Sequence, residues 1–288
     1  MADVCVVGSA NLDLVASVES LPAPGATVLA TDYAEHAGGK GLNQAVAAAR
    51  LGASVAFVGC VGDDAAGGFL AGVMRDEGID VSGLRTVRGA PTGRALISVD
   101  ARAENSIVVV AGANSRTDAS VADALVDARI VLAQLEVPLD AVVAAFRRAR
   151  ERGSTTVLNP APSRDLPEEL LALVDVLVPN EGEAAVLGGA ARLHALGVSA
   201  VVTTLGARGA TVSTPDATTT VAPFTVSPVD STGAGDAFIG ALCAEMSRGA
   251  DVAAAARTAA AAGALATTRP GAVPSLPTRA EVEELLGR

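Results

Sequence analysis

Tryptophan is absent, and one tyrosine and five phenylalanines are the only aromatic residues in 288. A pocket walled by stacked rings has little material to be built from. Cysteine is scarce too: Cys5, Cys60 and Cys243 stand far apart in apolar runs, with no C-x-x-C spacing. That pattern favours buried reduced thiols over a metal site or a disulfide framework. Basic residues are in deficit, 21 Lys and Arg against 32 Asp and Glu, for a formal net charge of −11. Such a balance argues against nucleic acid or an anionic membrane surface as the main partner. A phosphorylated ligand stays open, because backbone N–H groups bind phosphate without a basic surface. No segment reaches the roughly 20 apolar residues of a membrane span. The N-terminus lacks a basic segment followed by a long apolar stretch. The expectation is a reducing, cytoplasmic setting with no membrane and no nucleic-acid partner.

What is present is half hydrophobic, with much of that fraction alanine. Close-packed small side chains and Ala-rich helices follow from it. Val4 to Gly8, Ser54 to Gly59, Ile130 to Leu135, Thr155 to Leu158, Val174 to Val178 and Ala200 to Thr204 are short continuous apolar runs, the pattern of buried parallel strands. Helical stretches separate several of them: Leu42 to Leu51, Ala65 to Glu77, Leu139 to Arg152. This alternation implies an α/β fold, a mostly parallel sheet with helices on both faces. Leu12 to Tyr33 and Thr92 to Ala111 break the rhythm. Thr27 to Thr31 and Ser106 to Val110 are β-favouring, with no helix between strands. We expect one domain over 1–288, with inserts at about 12–37 and 90–111 that form a small separate sheet, a lid or a dimer surface.

The densest motif is Asp230-Ser231-Thr232-Gly233-Ala234-Gly235-Asp236, followed by an apolar helix through Met246. A glycine-rich turn opening a helix aims unpaired N–H groups at one point, suited to a phosphoryl group in transfer. Asp236 in the first turn can accept a hydroxyl proton; it can equally serve only to stabilise the helix N-terminus. A dinucleotide fingerprint fails here, for want of the third glycine and the later acidic residue. A P-loop fails at Gly39-Lys40-Gly41, where no Ser or Thr follows the lysine.

A second glycine-rich turn, Gly38-Gly39-Lys40-Gly41-Leu42-Asn43-Gln44, opens another helix that Gly52 ends. Paired glycines let a ligand approach the backbone, and Lys40 and Asn43 supply donors for a polyol or a phosphate. A plain helix start with a solvated lysine has the same appearance. Asn11 and Asp13 lie just past the first strand, one residue apart, and so point to the same side. They either hold two or three hydroxyls or form a turn. Gln134-Leu135-Glu136, Asn159-Pro160-Ala161-Pro162 and Pro179-Asn180-Glu181-Gly182-Glu183 also follow strands. Their shared position at strand ends favours one cleft.

Taken together these residues resemble the PfkB carbohydrate kinases. Gly38 through Asn43 is similar to the first signature of that family and Asp230 through Asp236 to the second. The likeness runs from Val4 to the Pro277 region and is closest to the ribose-phosphorylating branch, through Gly8 to Asp13, Gln134 to Glu136, Leu158 to Pro162 and Pro179 to Glu181. It implies a three-layer Rossmann-like domain with a β-sheet lid, often the homodimer interface. It implies transfer of the ATP γ-phosphate to the 5-hydroxyl of D-ribose. By matching position, Asn11, Asp13, Gly39, Lys40, Asn43 and Glu136 would hold the sugar, with Asp236 the base and Gly233, Ala234 and Gly235 the anion hole. Asn180 and Thr204, Leu205, Gly206, Ala207, Arg208 and Gly209 would contact the nucleotide. Asn180 and Glu183 match an Asn-x-x-Glu motif associated with magnesium and phosphate. A potassium site would draw on Asp230, Thr232, Ala266, Arg269, Gly271 and Ser275, mostly through carbonyls, an oxygen set that suits a hard cation.

The chain departs from the pattern in three places. The stretch from Leu187 to Leu196 is short, and Ala260 and Val110 stand where some members carry polar residues. These bear on adenine contacts and sugar selectivity. Within the family, deoxyribose, fructose and nucleosides are rival acceptors, the last disfavoured by the shortage of rings. A sugar-binding protein without catalysis is the non-enzyme alternative, which the retained Gly235-Asp236 pair argues against.

Overall fold

Runs of valine, alanine and leucine that are apolar on both sides become the strands of a large central sheet. The computed structural model describes residues 1–102 and 104–287. Ala103, inside the expected 90–111 insert, and Arg288 lie outside the described residues. The first half of the chain forms β1 (Ala2–Val7), β2 (Asn11–Val18), β3 (Ala30–Gly38), α1 (Lys40–Arg50), β4 (Val55–Gly62), α2 (Ala65–Asp76), β5 (Asp80–Val87), β6 (Gly93–Val99) and β7 (Asn105–Val110). Next come α3 (Val121–Ala124), β8 (Ala128–Ala133), α4 (Leu139–Glu151), β9 (Thr155–Leu158), α5 (Glu168–Leu171), β10 (Val176–Leu177), α6 (Glu181–Val186) and α7 (Gly189–Ala195). The last part holds β11 (Ala200–Thr204), β12 (Ala210–Ser213), β13 (Thr218–Val221), α8 (Ala234–Ser247), α9 (Val252–Ala266) and α10 (Arg279–Leu285).

The large sheet has nine strands in the order β13-β12-β11-β10-β9-β8-β1-β4-β5. All its pairings are parallel except those of β12 with β11 and β13. β1 is central, and its side chains alternate between two cores, as the strand period requires. Val4 and Val6 pack on the face covered by α1, α8 and α9, whereas Cys5 and Val7 pack on the face covered by α4. This is the three-layer α/β arrangement that the alternating runs imply. All three cysteines are buried and free. Burial pushes the Cys5 thiol up to about 12 and raises Cys243 as well. Among the described residues no helix is long and apolar enough to cross a membrane.

A second sheet of four strands, β3-β2-β6-β7, is built from the segments that broke the helical rhythm. β2 pairs in parallel with β6, Asn11 opposite Gly93, and antiparallel with β3. The expected strand over Thr27 to Thr31 does not form as such: β3 starts only at Ala30, beyond a register shift at Ser17/Val18. Val28 and Leu29 are exposed with no neighbouring strand, and β-favouring residues realise that preference only against a partner.

α1 and α8 approach so closely that small residues are obligatory between them. A Cβ at Gly240 would stand 2.4 Å from Ala47 Cβ and 2.7 Å from both Ala48 N and Gln44 O. Gly240→Ala is expected to lower stability by about 1–3 kcal/mol despite the better helix propensity of alanine. Urea titration reads this directly, and a neutral or stabilised variant would show that the two helices have room to separate.

Candidate active site

Parallel strands deliver their C-terminal ends to one edge of the sheet, where α/β proteins bind ligands. Here β1 leads to Asn11, β8 to Glu136, and β9 to Asn159, while α1 and α8 bring Lys40, Asn43 and Asp236 to the same edge. Asp236 sits in the first turn of α8, behind Gly233 with φ 76°, and is 9% exposed. Its Oδ2 accepts from Asn43 Nδ2 at 2.9 Å and its Oδ1 from Gln44 Nε2 at 2.8 Å. Burial raises the Asp236 carboxyl above the ordinary range; the Lys40 charge and the two amides work against that, and the Glu136 charge adds to it. A carboxylate so poised is suited to take up a hydroxyl proton.

The turn before α8 presents donors. Among the described residues, the N–H groups of Gly233, Gly235 and Asp236 meet no acceptor. Ala234 differs from the expectation, because its N–H is already donated to Ser231 O at 3.2 Å. The free donors at this turn are therefore those of its neighbours.

On the opposite side of Asp236 lie the residues expected to hold a sugar. Glu136 Oε2 accepts from Ser9 Oγ at 2.5 Å and from the Lys40 N–H at 3.1 Å. Gly39, with φ 90°, precedes the first residue of α1 and shapes the turn. Asn11 is buried, and its Oδ1 accepts from Asn114 Nδ2 at 2.7 Å. The Asn114 amide also clasps Ala10, accepting from its N–H at 3.0 Å and donating to its carbonyl at 3.3 Å. Asp13 is pushed up to about 7 by burial, then by the negative charges of Glu136 and Asp236. The charges of Glu136 and Asp236 thus act on Asp13, the Lys40 charge acts on Asp236, and the side chains named for the sugar come together.

Sequence reasoning assigned no role to Ser9, Gln44, Gln134 or Asn114. Gln44 adjoins Asn43 in the glycine-rich motif, a signal within reach. Asn114 lies in a short turn, Gly112–Arg116, with nothing in its neighbours to mark it.

The nucleotide side is a cleft of about 570 Å³. Thr204, Gly206, Ala207, Gly209 and Gly235 line it as expected, and Ala260 stands in its wall, with Phe224 and Phe238 as its rings. A mostly apolar slot that opens onto unpaired N–H groups fits a nucleotide, base in the slot and phosphates at the turn. Three expected contacts are differently employed. Leu205 does not line the cleft, and Arg208 pairs with Glu181 away from it. Asn180 caps α6, accepting from the Glu183 N–H at 2.8 Å, and Glu183 Oε2 returns the bond to the Asn180 N–H at 2.8 Å. Burial raises Glu183, against the pull of the Asn180 N–H and the Lys40 charge. No group of three or more His, Cys, Asp or Glu able to hold a metal occurs among the described residues. Magnesium with a nucleotide needs no such cage, since one or two carboxylates and the phosphates suffice.

The loops expected to hold potassium are joined. Asp230 Oδ2 accepts from the Gly271 N–H at 2.8 Å, and Oδ1 from the Thr232 N–H at 2.9 Å and hydroxyl at 2.7 Å. Burial opposes the Asp230 charge, but these three donors outweigh it and hold the carboxyl below its usual value. The carbonyls of Thr232, Ala266, Arg269, Gly271 and Ser275 meet no donor among the described residues, which fits a cation cage. The Arg269 side chain itself is turned to Glu281 at 2.5 Å, so only its carbonyl is available.

A buried carboxylate between a polyol-type pocket and a nucleotide-type cleft, on a three-layer α/β frame, defines a phosphotransferase site. The chain belongs to the pfkB carbohydrate kinase family, whose profile, pfkB family carbohydrate kinase, matches residues 1–279. It is 40% identical over 297 residues to the ribokinase of Haemophilus influenzae, covering 98% of this chain and 97% of that protein. With the Bacillus subtilis ribokinase it shares 39% over 293 residues, 99% of this chain and all of the relative. It spans about half of one further relative, the bifunctional ribokinase/ribose-5-phosphate isomerase A of Fructilactobacillus sanfranciscensis, at 40% identity over 85% of this chain and 49% of that protein. Among solved structures, the Thermotoga maritima ribokinase superposes with a TM-score of 0.93 at 33% identity, covering 100% of both chains. The Arabidopsis thaliana ribokinase complexed with ribose and ATP gives 0.91 at 33%, over 100% of this chain and 99% of that one.

The raised Asp13 has a consequence for stability. Its folded value near 7 lies above the ordinary 3.8, so folding is penalised once pH climbs through that interval. Asp13→Asn is expected to raise the melting temperature more at pH 8 than at pH 5. A gain independent of pH would mean that Asp13 titrates normally.

Proposed function

We propose that this chain phosphorylates D-ribose at its 5-hydroxyl with ATP as donor. The observation that carries the reading is Asp236, a buried carboxylate between the Asn11, Asp13, Glu136 pocket and the unpaired N–H groups at the start of α8. Asp236 takes the acceptor hydroxyl proton as the new P–O bond forms. Asn43 and Gln44 hold that carboxylate in place. The N–H groups of Gly233, Gly235 and Asp236 receive the charge of the transferring group, and Lys40 balances the surrounding acids. Bound ATP supplies the γ-phosphoryl group, and magnesium, held through Glu183 and the phosphates, would offset their charge. Asn11, Asp13 and Glu136 offer hydrogen bonds to ring hydroxyls, and none of these residues stacks on a base, which supports a sugar over a nucleoside acceptor.

Potassium between the Asp230 and Gly271 loops would relieve facing carbonyl dipoles and order the adjoining anion hole. A second copy of the chain would cover the exposed apolar face of the small sheet, where Leu96, Val108 and Val110 are 47%, 58% and 44% exposed; exposed patches of this kind mark interfaces. That sheet is also the part of the fold that would serve as a lid over the sugar. A cytoplasmic setting belongs to the same reading, supported by three free buried thiols.

A coupled ADP-release assay across ribose, 2-deoxyribose, fructose and adenosine tests the reading. Ribose is expected to be the best acceptor, with Asp236→Asn about 10²–10⁴-fold slower. More than about a tenth of the wild-type rate in that variant would remove Asp236 as the base. Replacing potassium by sodium at matched ionic strength is expected to slow the reaction, and equal rates would remove the cation from the scheme. In sedimentation, the protein is expected at twice the chain mass and Val108→Lys at a single mass; a monomeric wild type would dismiss the dimer.

A further inference from the structure

Behind Asp236 runs a chain of buried side-chain amides whose orientation is set from its far end. Asn159, just past β9, donates from Nδ2 to the Val178 carbonyl at 3.0 Å. A carbonyl only accepts, so this bond fixes which way the Asn159 amide faces. Its Oδ1 is then turned to Gln44 Nε2 at 3.1 Å. From another side, Gln134 Nε2 donates to Gln44 Oε1 at 2.6 Å. The Asn159 oxygen imposes this orientation on Gln44, with Nε2 as the donor to Asp236 Oδ1, and the Gln134 amide is turned to match it. Flipped, Gln44 would set its oxygen against the carboxylate.

Gln44 and Gln134 are 0% exposed and Asn159 is 6% exposed. Burying three amides this way is unfavourable unless they are fully bonded, and Gln134 Oε1 meets no donor among the described residues. The backbone also yields to them: a Cβ at Gly8 would lie 2.3 Å from Gln134 Oε1. Asn43, the other donor to Asp236, has no such backing, because its Oδ1 is buried without a partner among the described residues. One amide is anchored and the other is held only by Asp236.

We infer that Gln44 is a positioning residue for Asp236: anchored by Gln134 and Asn159, it immobilises Oδ1 and leaves Oδ2 as the oxygen presented to the acceptor hydroxyl. Asn43 is then the arm that turns from Oδ2 to the substrate when the hydroxyl arrives. This rests on the kinase reading above. The charged groups acting on Asp236 are Lys40 from α1 and Glu136 from the loop after β8, with Asp13 on β2 also coupled to it. All three are retained in the variants below, and Gln44→Met and Gln134→Met add no charge, so a shift in those two reports the amide chain alone.

The test is the acid limb of kcat/KM against pH for ribose, in wild type and in Gln44→Met, Gln44→Glu and Gln134→Met. Removing a donor to the charged form raises a carboxyl, so Gln44→Met is expected to move the limb up by about one pH unit. Its kcat is expected to fall about 10–100-fold, with KM for ATP unchanged. Gln44→Glu sets a second carboxylate beside Asp236 and is expected to move the limb further, because the pair shares a proton. Gln134→Met touches Asp236 only through Gln44 and is expected to shift it less, in the same direction. A folded Gln44→Met whose acid limb stays within about 0.2 units of wild type would make Gln44 mere packing. If that variant does not fold, an unmoved limb in Gln44→Glu overturns the role equally. A wild type inactive on every sugar overturns the kinase reading and this role with it; an active wild type indifferent to Gln44 overturns this role alone.

Discussion

A charge held out of water is the constraint on which this site depends. The Asp236 carboxylate is nearly inaccessible, and an ionised group in such surroundings persists only where donors replace its hydration. Two of those donors come from consecutive residues of α1, Asn43 and Gln44. α1 must therefore lie against α8 at a distance that only small side chains permit. Gly240, Ala47 and Ala48 provide that separation, and the abundance of alanine in the chain acquires a specific purpose there. The helix packing and the chemistry are one requirement, because a helix displaced by a methyl group would carry the amides away from the carboxylate.

The same edge of the sheet explains how a chain of net charge −11 handles phosphate. The donors proposed for the transferring group are main-chain N–H groups, which carry no net charge and need no basic surface. Lys40 is the cation that acts on Asp236 and Glu183 alike, while Asp13 and Glu136 stand on the side proposed for the sugar. A pocket of acids is a poor place for an anion and a good one for hydroxyl groups, which donate to carboxylates. In the proposed reaction, electrostatics as well as shape would sort sugar and phosphate to opposite sides of Asp236.

Membership of the carbohydrate kinase family sets the frame, and individual residues of this chain show how the frame is kept. Asn114 ties the turn before β2 to Asn11, so the small sheet starts from a fixed point at the cleft. Asp230 joins two loops that are far apart in sequence by accepting from Gly271, and the second of these loops lies beside the glycine turn. Both contacts are made by short polar side chains with little freedom to lose, which suits them to holding loops in register.

The sequence alone determined the strand and helix alternation, the two glycine turns, and the placing of Asn11 and Glu136 after strands and of Lys40, Asn43 and Asp236 at helix starts. Periodicity and turn chemistry are local, so they survive in a one-dimensional reading. Only the tertiary structure decided that Thr27 to Leu29 stay outside any strand, since a β-preference is expressed only against a partner. It also decided that Ala234 and Arg208 spend their donors elsewhere, on Ser231 and Glu181. Above all it assigned Gln44 and Gln134, whose meaning lies in contacts across 192 and 90 positions of the chain. A buried amide looks the same in sequence whether it fills space or orients a carboxylate; the difference is the direction of its hydrogen bonds, and packing alone sets that direction.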